Sequence, residues 1–196
     1  MAGLIFPWRA DNQFNLLIDG PAFFADWLEQ VDRAQQQIDI ELYLVSGGES
    51  ADRVETALIA AAQRGVRVRC LFDGFGSRQF KHPQRRRWLE AGIELRFYNP
   101  LRWTRGLQNF YRDHRKLLLV DANIAYVGGA GLTDQFWQPG AAESAWHEAM
   151  VRVQGPVVTD WQSLFDYQWD SCIERFFWKQ NNSPEQVPAL KTPPLP

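Results

Sequence analysis

Two hydrophobic periods alternate along the chain. Over residues 21–37, Phe24, Trp27, Leu28, Val31 and Ala34 recur at intervals of three and four, which predicts a helix. Ile38, Ile40, Leu42 and Leu44 then alternate with Asp39, Glu41 and Tyr43, the period of a strand. Gly47-Gly48 breaks the chain, and a second helix over about 50–64 runs into Gly65, a suitable C-terminal cap. VRVRCLF (66–72) predicts another strand that ends at Asp73-Gly74-Phe75-Gly76, where Asp73 reads as a turn residue. A short helix over 83–91 stops at Gly92, and IELRFY (93–98) predicts the next strand. Asn99-Pro100 opens a loop of about fifteen residues rich in Trp, Arg, Asn and Tyr; unstructured loops of that length are often functional. Two apolar runs, 117–120 and 124–129, flank Asp121-Ala122-Asn123 and predict a hairpin. EAMVRV (148–153) predicts a last strand. Gly155-Pro156 then opens a long helix with Trp161, Leu164, Phe165, Gln168, Cys172, Phe176 and Phe177 on one broad face.

The polarity pattern ends at Lys179, after which five prolines fall within sixteen residues. Residues 1–178 therefore read as one domain and 179–196 as a proline-rich linker or tail. A length of 196 residues suits one sizeable core, and no internal repeat is evident. No apolar run approaches the roughly 20 residues of a membrane span, and the first residues lack the basic and apolar regions of a signal peptide. Cys70 and Cys172 sit in apolar surroundings and do not resemble a disulfide framework, which fits a reducing cytoplasm.

Composition changes this picture in two places. Nine Trp and thirteen Phe exceed what such a core usually needs, so some are read as an interface, with aromatic-rich packing the plainer alternative. The net charge of −2 conceals an asymmetry: residues 78–116 hold eleven Lys/Arg against Glu90, Glu94 and Asp113. A solvated surface is the usual meaning of such a block. Because it leads into the segment RDHRKLLLVDANIAYVGG, it also reads as a field that draws in phosphate.

In that segment His114 and Lys116 are two residues apart at the entrance to a strand, so both side chains project from one face. An imidazole can attack phosphorus, and an ammonium beside it can stabilise the non-bridging oxygens. The apolar run Leu117 to Val120 fixes the pair. From this chain's composition, His-x-Lys-x4-Asp should arise by chance in about four chains per thousand. His82 and His147 are not followed by Lys two residues on, and no Cys/His/Asp cluster, P-loop or GxSxG elbow is present, so neither metal nor cofactor is expected.

His114-x-Lys116-x4-Asp121-x6-Gly128-Gly129 resembles the motif of the phospholipase D superfamily, and specifically that of bacterial cardiolipin synthases. The likeness extends to DIELYLV, AAAQRGVRVRCLFDGFGS and WHEAMVRVQGPVV, covering most of residues 14–178. It implies an α/β fold, the phospholipase D-like α-β-α sandwich with a mixed sheet flanked by helices. It also implies His114 as nucleophile or general acid of a phosphohistidine mechanism, Lys116 as phosphate ligand, and Asp121 as the family's acid with a mainly supporting role. Glu148 would accept a hydrogen bond from the imidazole, and Gly128 and Gly129 would let backbone approach the substrate. Arg112 and Tyr111, with Asn109 and Trp103, would contact head groups or lipid, ordinary loop packing being the alternative. The family's usual Asn two residues after the glycine pair is Gly131 here.

The superfamily mechanism needs two such motifs, and this chain has one. The second half would come from a C-terminal domain or from a homodimer. The leading expectation is a phosphatidyltransferase or phosphodiesterase acting on phospholipid, in the cytoplasm and peripheral to the inner membrane. A dimeric phosphodiesterase acting on nucleic acid and an inactive interaction domain are the alternatives.

Overall fold

The computed structural model describes residues 6–137 and 146–172. In chain order the elements are β1 (Gln13–Ile18), α1 (Asp19–Arg33), β2 (Gln37–Leu42), α2 (Glu49–Gln63), β3 (Arg67–Asp73), α3 (His82–Glu90) and β4 (Glu94–Tyr98). A 3₁₀ segment (Trp103–Phe110) precedes β5 (Leu117–Val120), β6 (Ile124–Gly128), α4 (Asp134–Trp137), β7 (Ala149–Gln154) and α5 (Val158–Ser171). The strands form one mixed sheet in the order β1-β7-β6-β5-β2-β3-β4, with β2, β3 and β4 parallel and the other pairings antiparallel. This is the expected α-β-α sandwich. No described helix is long and apolar enough to cross a membrane.

Each face of the sheet is covered differently. On one, Phe24, Trp27 and Val31 of α1, Val54 and Leu58 of α2 and Trp88 of α3 pack on Ile38, Ile40, Val68, Phe72, Leu118 and Tyr126. On the other, Phe165 and Trp169 of α5 pack with Leu71, Leu117, Leu119, Ala125 and Val153. Asp39 and Glu41 also project to that second face. Alternation predicts the strand correctly, but the polar positions are not solvated: Asp39 and Glu41 are both fully buried. Asp39 lies directly across from Arg69, whose guanidinium donates to its two oxygens at 2.6 and 2.8 Å and to Asp166 of α5 at 2.7 Å. Burying a charge is costly unless it is paired, and this pairing lets an acidic strand and a basic strand lie side by side under a helix.

The polarity pattern did not announce β1. It pairs with β7 at the sheet edge, buries Leu17, and exposes Phe14, Leu16 and Ile18 on the face that α5 only partly covers. The α5 face is formed by Val158, Phe165, Trp169 and Cys172, with Trp161 partly buried; Phe176, Phe177 and the proline-rich tail lie outside the described residues. Cys70 and Cys172 are buried free thiols, and burial raises the pKa of both, Cys172 to about 11. The expected loop after Asn99 contains two 3₁₀ turns, joined at Gly106 (φ 49°).

Candidate active site

The residues singled out above lie along one end of the sheet. The carboxyl ends of β2, β3 and β4 lead to Tyr43, Asp73 and Tyr98. Antiparallel β5 begins beside the end of β2, with Leu117 opposite Glu41, and β6 ends at Gly128 opposite Met150 near the start of β7. Ligands of open α/β sheets bind in this position, outside the carboxyl ends of the strands where the chain direction changes.

Residues 113–116 continue the alternation of β5 beyond its last ladder bond. Asp113 is buried and Arg115 is turned inward, while His114 is exposed at the rim. The inward pair is anchored. Asp113 N–H donates to Asp73 Oδ2 at 3.0 Å, Arg115 N–H donates to Asp113 Oδ1 at 3.1 Å, and the Arg115 guanidinium donates to Glu41 Oε1 at 2.7 Å. Burial first, then the adjacent Asp113 carboxyl, pushes the Glu41 pKa up to about 9, against the pull of Arg115.

The outward pair is joined. Lys116 Nζ lies 2.9 Å from His114 Nδ1 and 3.0 Å from the His114 carbonyl oxygen. The imidazole leans on Tyr43, with ring centroids 4.5 Å apart at 41°, and Lys116 Nζ is 5.7 Å from the Tyr43 ring centre. Burial lowers the Lys116 pKa, partly offset by the charges of Glu148 and Asp113. With the ammonium donating to Nδ1, the neutral imidazole carries its hydrogen on Nε2.

Other expected site residues are placed differently. Asp121 belongs to the far end of β5, five residues from Lys116 and roughly 16 Å away at the rise of a strand. Its carboxylate accepts from the backbone N–H groups of Gln35, Gln36 and Gln37 at 2.9, 2.8 and 3.0 Å, closing the turn from α1 into β2. The expected hydrogen bond from the imidazole to Glu148 is not made. Glu148 Oε1 accepts from Ala149 N–H at 2.9 Å, and its backbone is held on both sides by Asp19.

Both glycines also have a packing role. A Cβ on Gly128 would lie 2.4 Å from the Ala149 carbonyl oxygen, and one on Gly129 would lie 2.0 Å from Glu148 Oε2. These residues make room for β7 and for the Glu148 carboxylate. Gly131 has a similar cause: its Cβ would lie 2.9 Å from the Leu44 carbonyl oxygen, where residues 44–46 pair with Leu132. An Asn there would have to displace that strap.

Arg112 turns inward too. It donates to Asp73 Oδ1 at 3.3 Å and to the Asn99 carbonyl at 2.8 Å, so it clamps the loop rather than facing a substrate. Tyr111 is exposed and lines, with Phe97, Tyr98, Asn99, Arg105, Gln108, Ser171 and Cys172, a cavity of about 250 Å³ that touches neither His114 nor Lys116. Asp73 serves the expected turn by accepting from Phe75 and Gly76 N–H, and it also grips residues 112–113. Part of the basic block is paired: Arg112 and Arg115 turn inward onto Asp73 and Glu41, while Arg86 and Arg87 pair at the surface with Glu90 and Glu55. Among the described residues no three His, Cys, Asp or Glu side chains converge as metal ligands would.

Tyr43, Glu41, Asp113 and Arg115 escaped the polarity reading. The available signal was an acid at a strand position (Glu41) and a motif flanked by alternating acid and base (Asp113, Arg115), both of which read as surface when burial is unknown.

The family model for the cardiolipin synthase, phospholipase D-like domain matches residues 27–169, and so takes in every strand from β2 to β7 together with His114, Lys116, Asp121 and Glu148. The chain belongs to this family. Cardiolipin synthase B of Salmonella typhimurium is 32% identical over 185 residues, which are 91% of this chain and 44% of that protein. The chain thus spans less than half the length of the curated relatives it matches. Its fold is similar to that of Nuc, a phospholipase D family member from Salmonella typhimurium, with a TM-score of 0.60 and 21% identity over 82% of this chain and 95% of that one. It is also similar to phosphatidylserine synthase from Haemophilus influenzae, with a TM-score of 0.65 and 14% identity over 83% of this chain and 37% of that one.

Proposed function

We propose that this chain supplies one half of a two-histidine site that transfers or hydrolyses phospholipid phosphodiesters through a phosphohistidine. The observation that carries the reading is the joined pair of His114 and Lys116, exposed on a rim that buried neighbours hold rigid. The resemblance to cardiolipin synthases supplies the substrate class.

On arrival of a phosphodiester, the Lys116 ammonium leaves His114 Nδ1 for a non-bridging oxygen. Nδ1 then takes the imidazole hydrogen and Nε2 becomes the free lone pair. Glu148, whose carboxylate lies over Gly129, is the acceptor that would hold this second tautomer, at the cost of its bond to Ala149. Nε2 attacks phosphorus, an N–P bond forms, and the P–O bond to the leaving alcohol breaks as a second imidazole donates its proton. An acceptor alcohol or water, deprotonated by that second imidazole, then attacks phosphorus and releases His114. Dividing one displacement into two is the gain of covalent catalysis, and the acid adds roughly 10²–10⁴-fold.

The second imidazole comes from another half, in the same polypeptide or in a second copy. Phe14, Leu16 and Ile18, exposed along β1 opposite Val153, Val151 and Ala149 of β7, form an apolar strip suited to receive it. A nucleic-acid substrate is the second reading, favoured by the basic block; the pairing of Arg86, Arg87, Arg112 and Arg115 with acids reduces the charge that block offers. The test is a parallel assay of the active assembly on phosphatidylglycerol and on single-stranded DNA, with mass spectrometry of an acid-labile phosphatidyl adduct on His114. Lipid turnover with a phosphatidyl group on His114 is expected, whereas DNA cleavage that falls steeply with salt would replace the lipid reading with the nucleic-acid one.

A further inference from the structure

The segment between β4 and the motif has its polarity inside out. Asn109 is the inward residue: its side chain accepts from Arg102 N–H at 3.1 Å and donates to the Arg102 carbonyl at 2.8 Å. Asn99 donates to the carbonyls of Gln108 and Tyr111 at 2.7 and 2.8 Å, and its oxygen accepts from Arg105. Polar side chains therefore fold the segment, and the apolar ones are left outside. Trp103 is fully exposed, Leu107 is 82% exposed and Phe110 is 79% exposed, with Leu101 and Tyr111 beside them. Two short 3₁₀ turns with no buried residue have no core of their own to stabilise them, and the polar clamp supplies the order instead.

We infer that residues 101–111 form a membrane-contact loop that inserts Trp103, Leu107 and Phe110 into the surface of an anionic bilayer. Charge selects this occupant over an apolar protein partner. Residues 101–111 hold Arg102 and Arg105 and no acid, so the exposed apolar side chains are interleaved with positive charge only. Large apolar tips with interleaved arginines match the acyl boundary and the phosphate layer of such a membrane, respectively. Only three residues separate Phe110 from His114. Seating the loop therefore brings the rim to the depth of lipid phosphates. The inference rests on the proposed function only for that last point; the contact itself needs no chemistry.

The experiment is co-sedimentation of the full chain with vesicles of equimolar phosphatidylglycerol and phosphatidylethanolamine, against vesicles of phosphatidylcholine alone. The wild type should bind the anionic vesicles, less tightly as salt rises, and the triple variant W103A/L107S/F110S should bind roughly tenfold or more weakly. Its melting temperature should be unchanged, because none of the three side chains is buried. His114→Ala should bind vesicles like the wild type, which separates this inference from the catalytic reading. Equal binding by the triple variant, or no preference for the anionic vesicles, would overturn it. So would light scattering that shows a dimer dissolved by the triple substitution, since the loop would then be a protein interface.

Discussion

The two ends of β5 carry the two halves of one sequence motif and do opposite things. At the Asp121 end, one carboxylate satisfies three backbone N–H groups of the α1–β2 turn, and the residue holds a left-handed backbone (φ 51°) to do so. At the other end, His114 and Lys116 are bonded to each other and to the His114 carbonyl alone. One end is saturated and structural, while the other has uncommitted valences and faces solvent. Both residue types are demanded by the same spacing, so a motif of this kind mixes a folding requirement with a chemical one.

The comparison breaks most clearly at the reactive end. His114→Ala is expected to lower phosphodiesterase activity of the active assembly by about 10³-fold or more, while moving stability by no more than about 0.5 kcal/mol. A stability loss as large as that at Asp121 would erase the distinction. Asp121→Ala should cost about 2 kcal/mol, read by denaturant midpoint, from three N–H groups left without an acceptor and from the strained φ. Activity per folded molecule should stay close to wild type.

Glu41 sharpens the contrast from beneath the rim. Its folded-state pKa of about 9 stands above the ordinary 4.5, so the native protein keeps a proton that the unfolded chain releases. The stability this contributes is full below about pH 4.5 and is lost as pH climbs toward about 9, by up to ~1.4 kcal/mol per pH unit. Glu41→Gln should flatten that slope in thermal melts taken across the range. The smallest effect is expected at Gly131→Asn, where contact with the Leu44 strap should cost about 1 kcal/mol in a melt. An Asn accepted there at no cost would show that the strap yields, and that the glycine is not a packing requirement.

Much of the fold was legible because its signals are local. Helix and strand periods, Gly65 ending α2 at φ 90° and the hairpin turn at Asp121-Ala122 need only neighbouring residues to specify them. β1 was missed because Leu17 interrupts its alternation and its other apolar residues face outward. Asp39, Glu41 and Arg69 looked like solvated positions because their partners are 30 or more residues away or lie on another element.

The sequence by itself determined the family, the mixed α/β order, and the pairing of His114 with Lys116 on one face, since two residues of extended chain must point the same way. Only the tertiary structure decided which polar groups were already occupied. It gave Asp121 to a turn, Arg112 to a clamp and Glu148 to its own neighbour, left His114 bonded to Lys116, and turned Trp103, Leu107 and Phe110 outward. The reason is that a hydrogen bond or a buried charge depends on what the fold brings within about 3 Å, and spacing along the chain does not encode that distance.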